Sequence, residues 1–446
     1  MSKLRAISNW RPRTRFYYGW LVLGTAALGA YAATGSAQLV LGGIQNLIFE
    51  DLGWDRSTIA FAVTVGTWTA GLVTPIVGRL ADRYGPRGLM PIALIITGLS
   101  FFAFAGIHAV WQFYAAYIVA RGIGNPILIG VVPRTLAVNF FQRKRNLALG
   151  LSSMARPVSA SINIQIISLI AAGYSWRVAY RSLGILSLAL ALPLFLIVRR
   201  RPEDIGLLPD GDTGPPSTET QSSISAASRL EGAGRAREFD WRAGEAALTS
   251  AFWLIAIAES LTLLTTGAVG FQVVPYLKDL GLSQVAAAVA LSLSALLGAF
   301  SNPGWGYLSD RFSPRNLMMV ALAIAAVITV LFVAVVDGSG VRGFFAVILW
   351  GMATGSFGVI GSMVLAKYFG RASFGAITGL IGPLQTGALG LGPTFGALLF
   401  NLTGGYSSLF LFALFSYGIA ALLVYGARPP KLPKRALAEE GHVGDD

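Results

Sequence analysis

The chain has 446 residues, of which 54% are hydrophobic and 12% are charged. A soluble domain carries about a quarter charged residues, so this composition excludes a water-soluble globular protein. The formal net charge of +13 does not indicate a nucleic-acid partner, because the Lys and Arg residues are spread over many short segments and form no single basic patch. The chain has no Cys and two His, which excludes disulfides and Cys-ligated metals, and we expect neither a metal nor a cofactor.

Segments of about 20 mostly uncharged residues, long enough to cross a bilayer core of about 30 Å, recur along the chain. They predict an all-α polytopic membrane protein with twelve transmembrane helices, called spans 1 to 12 in chain order. The segments are centred near Ala30, Val73, Gly98, Gly124, Ile164, Ser187, Leu263, Ala295, Ala325, Ala353, Gly387 and Leu414. Basic residues fall in every second connection, so the positive-inside rule places both termini in the cytoplasm.

A polar segment divides the chain into two sets of six spans. It is rich in Pro, Ser, Gly and charged residues, as in "RPEDIGLLPDGDTGPPSTETQSS", which is typical of a linker. A short interfacial helix is expected where it meets span 7, with Trp241, Ala247 and Leu248 at near-helical spacing. The predicted units are a cytoplasmic segment 1–15, a six-helix bundle 16–201, the linker with its helix 202–248, a second bundle 249–428 and a cytoplasmic tail 429–446.

The two halves repeat one another. "GRLADRYGPR" at residues 78–87 and "GYLSDRFSPR" at residues 306–315 share Gly, Leu, Asp, Arg, Pro and Arg in register, which indicates an internal duplication. Ion pairs and helix-end contacts at these loops are expected to latch the cytoplasmic side in one conformation. The predicted gating residues are Asp82, Arg83, Arg87, Asp310, Arg311 and Arg315. The alternative is that these arginines only set the topology.

The first of these motifs resembles the loop motif of the major facilitator superfamily. "YYGW" at the start of span 1 and "RRPEDIGLLPDG" after span 6 resemble the bacterial branch that is similar to monocarboxylate and oxalate/formate transporters. The resemblance implies two pseudo-symmetric six-helix bundles around a central cavity that opens alternately to each side of the membrane. It would also make Arg121, in the span 4 sequence "ARGIG", a residue for proton coupling or anion attraction.

Few ionisable residues fall inside the predicted spans, and each costs about 3 kcal/mol or more at mid-membrane. With a helical rise of 1.5 Å per residue, Arg156 in span 5 lies about 15 Å deep, and Arg121 and Glu259 lie at similar depth. Arg134 is nearer the cytoplasmic end of span 4, so its side chain is expected to reach the membrane interface. The second half has Trp350 and Gly382 where the first has Arg121 and Arg156, which indicates that these arginines serve function and not the scaffold.

Arg156 belongs to a polar stripe on an apolar helix. Ser152, Arg156, Ser159 and Asn163 follow one another at helical spacing and predict a face turned to a wet cavity or a polar neighbour. Pro157 removes one backbone hydrogen bond. A guanidinium at this depth suits a carboxylate, which it holds with two parallel hydrogen bonds. The alternatives are a permanent Arg156–Glu259 ion pair as an internal brace, and a contact of Arg156 with lipid or water.

Glu259 is the candidate proton-coupling residue, because desolvation favours the neutral form of a carboxyl group. Arg121 is a second candidate for that role and for substrate binding. Besides Arg156, Ser159 and Asn163, the polar residues expected to complete the substrate site are Tyr31, Gln38, Gln165, Gln272 and Gln385. Each of these also suits a helix-to-helix hydrogen bond.

These features predict a secondary active transporter that moves a small organic anion, favoured to be a carboxylate, across a bacterial plasma membrane by proton coupling or anion exchange. The expected partners are that anion, a proton or counter-anion and membrane lipid, with the protein as a monomer. The alternatives are proton-driven efflux of hydrophobic or amphipathic compounds, and a nutrient receptor with the same fold. An enzyme is not expected, since the sequence has no Gly-x-Ser-x-Gly motif, phosphate loop or metal-ligand cluster.

Overall fold

The computed structural model describes residues 15–141, 144–208, 210, 241–334, 339–370 and 374–430. Twelve spans follow one another, and residues 198–249 separate span 6 from span 7. Their bounds are Tyr18–Ala33 with Gln38–Leu52 (span 1), Arg56–Tyr84 (2), Pro86–Ala105 (3), Val110–Gly124 with Asn125–Gly130 and Val131–Phe140 (4), Arg145–Gly173 (5), Trp176–Ile197 (6), Ser250–Asp279 (7), Gln284–Arg311 (8), Pro314–Ala334 (9), Gly340–Thr354 with Phe357–Phe369 (10), Phe374–Thr403 (11) and Ser407–Gly426 (12).

The prediction of an all-α membrane protein with twelve spans is confirmed. Within the described ranges, ten helices are long and apolar enough to cross a membrane. Spans 1 and 11 complete the set: span 1 is divided into two shorter helices, and span 11 carries Pro383 and Pro393 in its interior. Consecutive spans run in opposite directions, so span 1 begins and span 12 ends on one side of the membrane, called here the terminal side. The opposite side is the far side.

Span 1 is interrupted by a short 3-10 turn, Thr34–Ser36. Backbone groups freed inside a membrane need new partners, because no water is present to bind them. Asn163 Nδ2 of span 5 donates to Tyr31 O (2.6 Å) and to Thr34 Oγ1 (2.8 Å), and Tyr180 Oη of span 6 donates to Gly35 O (3.1 Å). Two neighbouring spans therefore stabilise the interruption.

Spans 4 and 10 are both interrupted at corresponding depth. In span 4, Asn125–Gly130 forms a π-helical turn that contains Pro126, which has no N–H for the α-helical ladder. In span 10 the helix stops at Thr354 and resumes at Phe357, and the offset that pairs Arg121 with Trp350 also pairs Asn125 with Thr354. A π turn holds extra residues, so it changes the direction in which the side chains after it point.

The two halves contact each other in the far-side part of spans 1 and 7. Gln45 Nε2 of span 1 donates to Phe271 O of span 7, and both residues are buried. Nearer the far-side surface, Lys278 Nζ lies 3.0 Å from Glu50 Oε1. Both contacts join residues of opposite halves.

Two further pairs of spans close the same part of the molecule. Thr64 Oγ1 of span 2 donates to Gly390 O of span 11 (2.5 Å), and Gln165 Nε2 of span 5 donates to Ser292 Oγ of span 8 (2.9 Å). With spans 1 and 7, these contacts seal the far side, so the space between the halves lies toward the terminal side.

A charged cluster at the far-side surface, called here the far-side clasp, consists of Arg56, Asp279, Phe400 and Tyr406. Arg56 Nη2 of span 2 lies 3.5 Å from Asp279 Oδ2 of span 7, and Arg56 Nη1 donates to Tyr406 Oη (2.6 Å). Tyr406 Oη donates to Asp279 Oδ2 (2.8 Å), and the guanidinium lies 4.2 Å from the centre of the Phe400 ring. One arginine of the first half thus contacts span 7, span 11 and the residue that precedes span 12 in the second half.

The segment before span 7 contains the expected short helix, at Ala243–Ala247. The Trp241 ring lies 5.6 Å from that of Phe369 at the end of span 10, and Trp241 N donates to Phe369 O (3.4 Å). Leu248 is exposed. Residue 209, residues 211–240 and the tail from 431, which belong to the predicted linker and tail, lie outside the described ranges.

We expect Asp279→Asn to weaken the far-side clasp, because the amide removes the charge that pairs with Arg56. An exposed ion pair contributes about 1 kcal/mol or less, so the ratio of far-side-open to far-side-closed molecules should rise by up to about fivefold. The chain has no Cys, so spin labels at His108→Cys and Ser407→Cys can report the far-side separation. Asp55→Asn, at a nearby carboxylate that makes no capping bond to span 2, is the control. Equal distance distributions in both variants would contradict the prediction.

Candidate functional site

A central cavity of about 570 Å³ lies between the two halves. The first half contributes two arginines to its wall, and the second contributes one carboxylate and a group of hydroxyl and amide side chains. The lining residues are Arg134, Arg156, Glu259, Thr262, Leu263, Thr266, Thr354, Gly355, Phe357, Gly358, Ser362, Leu365, Thr378, Ile381 and Gln385. All of them belong to the terminal-side or middle parts of spans 4, 5, 7, 10 and 11.

Arg156 lines this cavity and its side chain is exposed to it. Span 5 continues as one helix through Pro157, which keeps Arg156 about eleven residues from the start of the span at Arg145. Among the described residues Arg156 forms no hydrogen bond and no ion pair. This position agrees with the number of residues counted from the start of span 5, and the guanidinium is open to a ligand in the cavity.

Arg134 also lines the central cavity and is exposed there. The position of Arg134 near the end of span 4 predicts that this side chain reaches the membrane interface, but in the structure it lines the cavity. The π turn before Arg134 changes the face on which the last part of span 4 presents its residues. Two guanidinium groups of the first half consequently share the cavity, where they repel each other.

Glu259 is the carboxylate of the cavity and is 5% exposed. Gln385 Nε2 of span 11 donates to Glu259 Oε2 (2.5 Å). Glu259 Oε1 packs directly against Gly361 of span 10, and a Cβ at that glycine would overlap the oxygen. In the described part of the chain Glu259 has no ion pair with an arginine, so this structure does not contain the Arg156–Glu259 brace.

Arg121 lies away from the central cavity, inside the first bundle. It is 2% exposed and packs beside Tyr117 of the same span and Gly66 of span 2. Its Nε and Nη1 atoms have no hydrogen-bond partner among the described residues. In this conformation Arg121 does not face the cavity, and its predicted roles in substrate binding and proton coupling remain predictions.

The polar stripe of span 5 leaves the cavity after Arg156. Ser159 is 6% exposed, Asn163 is fully buried at the interruption of span 1, and Gln165 donates to Ser292 of span 8. Tyr31 contributes its carbonyl to the same interruption, and its side chain is half-buried. Asn163, Gln165 and Tyr31 therefore lie at helix-to-helix contacts, and Ser159 is buried.

The remaining predicted glutamines differ from one another. Gln38 Nε2 donates weakly to Gly267 O (3.4 Å), across the interface between spans 1 and 7. Gln272 is 1% exposed, and neither end of its amide has a partner within the described ranges. Gln385 lines the cavity and binds Glu259. Of the predicted substrate-binding set, the structure brings Arg156 and Gln385 together in the cavity.

Most of the hydroxyl groups that the second half of the chain contributes to the cavity were not predicted from the sequence. They include Thr262, Thr354, Ser362 and Thr378. One signal for them exists: Glu259, Thr262 and Thr266 follow one another at i, i+3 and i+7, the same kind of polar stripe that drew attention to span 5. Among the described residues no group of three His, Asp or Glu side chains could hold a metal ion.

At the two loop motifs, the arginines that begin spans 3 and 9 bind the ends of spans 6 and 12. Arg87 Nε donates to Phe195 O (3.2 Å), and Arg315 Nε donates to Val424 O (3.1 Å). Cations at helix C-termini satisfy free carbonyls there and interact well with the helix dipole. These contacts repeat in the two halves and lie within each half.

The other arginines of the motifs are exposed. The Arg83 guanidinium lies 5.3 Å from the centre of the Tyr84 ring, and that of Arg311 lies 4.8 Å from the Tyr307 ring. The side chains of Asp82 and Asp310 lie outside the described part of the structure. The latch predicted for these six residues therefore stays a prediction.

Comparison with known proteins identifies a family. The family model described as Major Facilitator Superfamily matches residues 20–390 and 255–444. A solved structure of a bacterial homologue of the human lysosomal transporter Spinster, inward-facing and unoccupied, superposes with a TM-score of 0.69 at 16% identity, covering 92% of this chain and 97% of that one.

Three curated relatives bear on function. Membrane sensor protein UhpC of Salmonella typhimurium is 28% identical over 60% of this chain, a match that spans only 60% of its own length. Monocarboxylate transporter 4 of Mus musculus is 23% identical over 82% of this chain and 72% of its own. The oxalate:formate antiporter of Oxalobacter formigenes is 24% identical over 64% of this chain and 62% of its own.

We expect Gly361→Ala to destabilise the protein, because the new methyl group would overlap the Glu259 carboxylate. Overpacking of this kind costs about 1 to 3 kcal/mol and should lower the melting temperature in detergent. Gly358→Ala is a matched control on the same helix, since no described atom lies within 4 Å of a Cβ there. Removal of the carboxylate by Glu259→Ala should reduce the cost of Gly361→Ala. Equal melting temperatures for the two alanine variants would contradict the contact.

Proposed function

The chain belongs to the Major Facilitator Superfamily, and from this membership and the central cavity we propose that it transports a small organic anion, of the carboxylate class, by secondary active transport. The transport cycle would expose the cavity alternately to each side of the membrane. The observation that carries this proposal is the exposed guanidinium of Arg156, which lines the cavity at mid-membrane and has no acidic partner among the described residues.

The charge balance of the cavity supports an anionic substrate. Arg134 and Arg156 provide two positive charges, and Glu259 provides at most one negative charge. A planar guanidinium binds a carboxylate through two parallel hydrogen bonds. The same two side chains repel lipophilic cations. The alternative of proton-driven efflux would require the cavity to accept such cations.

We propose Glu259 as the proton-coupling residue. Its carboxyl group is almost fully buried, has one amide donor in Gln385 and no cationic partner in the described structure. Burial favours the neutral form of the acid. A proton taken up with the anion would neutralise Glu259 before the cavity closes, so that no unpaired negative charge is buried. Exchange of two anions is the other coupling mode compatible with two arginines.

The names of two relatives agree with this substrate class, since one is a monocarboxylate transporter and another exchanges oxalate and formate. We further propose that the protein lies in a bacterial plasma membrane as a monomer, with both termini in the cytoplasm. The terminal side is then cytoplasmic, and the described conformation faces inward. The proposed units are the segments 1–15, 16–201, 202–248, 249–428 and 429–446, with the loop motifs as a cytoplasmic latch.

Small carboxylates should raise the melting temperature of the purified protein, because a ligand that binds only the folded state stabilises it. Arg156→Gln should weaken this binding at least tenfold, since a charged hydrogen-bonded pair is lost. Arg156→Lys should recover only part of it, because an ammonium group cannot form the two parallel bonds. Arg342→Gln, at an exposed arginine near the far-side start of span 10, should bind like the wild type. Stabilisation by lipophilic cations and not by carboxylates would instead favour the efflux alternative.

Glu259→Gln should abolish the stimulation of uptake by an inward proton gradient in proteoliposomes, because the amide cannot take up a proton. Exchange of labelled for unlabelled anion at equal pH should continue, since the amide keeps the size and polarity of the side chain. Glu203→Gln, at an exposed carboxylate outside the spans, controls for loss of one negative charge. If proton-gradient-driven uptake survives in Glu259→Gln, Glu259 is not the coupling residue.

A further inference from the structure

A second cavity of about 230 Å³ adjoins Arg156 within the first half, between spans 1, 4 and 5, and is called here the apolar recess. Among the described residues that line it, Ser152 and Arg156 are the only polar side chains apart from the indole of Trp20. Its wall is otherwise formed by small and apolar residues such as Leu23, Gly24, Ile129 and Pro133. Because Arg156 also lines the central cavity, one guanidinium stands at the border of a polar and an apolar space.

The size of the recess suits an organic group of moderate size. An apolar cavity of about 150 Å³ inside a protein stays dry and binds benzene. The recess is larger than that and has few polar groups that could hold water in place. A phenyl ring or a short alkyl chain therefore fits it better than water does.

We propose that the apolar recess binds the hydrocarbon part of an amphipathic monocarboxylate whose carboxylate is held by Arg156. This inference rests on the proposed function, in which Arg156 binds the anion, and it adds the chemical class of the substrate. Ser152 lies one helical turn before Arg156 and borders the same recess, so its hydroxyl group is placed beside the carboxylate. The substrate is an aromatic or medium-chain monocarboxylic acid.

The same geometry disfavours dicarboxylates. A second carboxylate that entered the recess would leave water and meet no cation other than Arg156, and an unpaired buried charge is costly. Very short acids would bind Arg156 and leave the recess unfilled. Affinity should therefore increase with the apolar surface of the acid and not with the number of its carboxylates.

The test measures affinity from thermal stabilisation, with acetate, butyrate, hexanoate, benzoate and succinate as probes. In the wild type each added methylene should improve affinity by up to about fourfold until the recess is full. Gly24→Leu should fill the recess without a clash at its Cβ, because no described atom lies within 4 Å of that position. It should weaken hexanoate and benzoate at least tenfold more than it weakens acetate, with Gly24→Ala intermediate.

Gly418→Leu is the matched control, since Gly418 is an exposed mid-span glycine in span 12 with similar open space around its Cβ in the described structure. If affinity in the wild type is independent of chain length, or if Gly24→Leu weakens acetate and hexanoate equally, the recess is not the subsite and the inference is overturned. In that case loss of acetate binding in Arg156→Gln would still support the proposed function. If no carboxylate binds the wild type, both fail.

Discussion

The guanidinium of Arg156 has to be hydrated or neutralised at every stage of the proposed cycle, because a bare charge at mid-membrane costs about 3 kcal/mol or more. In the described conformation the cavity of about 570 Å³ has room for water around this group. Closing the cavity on the terminal side would remove that water, so closure becomes cheaper when a carboxylate occupies Arg156. A ligand shifts a conformational equilibrium only through its different affinity for the two states. In the proposed cycle the unpaired arginine would supply that difference and so link substrate binding to movement of the halves.

The two halves share their backbone and differ in their charges. Spans 4 and 10 are interrupted at corresponding positions, and Arg87 and Arg315 bind the ends of spans 6 and 12 in the same way. The cavity cations come from the first half alone, whereas the second half supplies hydroxyl and amide groups around Glu259. A duplicated scaffold with unequal side chains therefore gives the cavity one wall with two guanidinium groups and an opposite wall with a carboxyl group.

Hydropathy and the distribution of basic residues were sufficient to predict the twelve spans, and the structure has Arg156 and Glu259 in the interior of spans 5 and 7, where the sequence put them. Helical spacing identifies a polar face but not the neighbour that covers it. For this reason the sequence did not predict that Asn163 and Gln165 lie against spans 1 and 8. The position of Arg134 depends on a π turn that a regular helical wheel does not contain. The far-side clasp joins Arg56 to residues of spans 7 and 11–12 that no local pattern connects with it.

The contacts that close the far side are of a kind that can be reversed. The Arg56–Asp279 and Glu50–Lys278 pairs are partly exposed, with the carboxylate side chains 52% and 55% accessible, so each contributes about 1 kcal/mol or less. A gate built from buried charge pairs would cost several kcal/mol to open once one partner moved. The far side is therefore held by weak surface pairs together with the buried hydrogen bonds between the halves, such as that of Gln45 with Phe271. In the proposed cycle, occupancy of Arg156 by an anion would favour closure of the cavity and so opening of the far side.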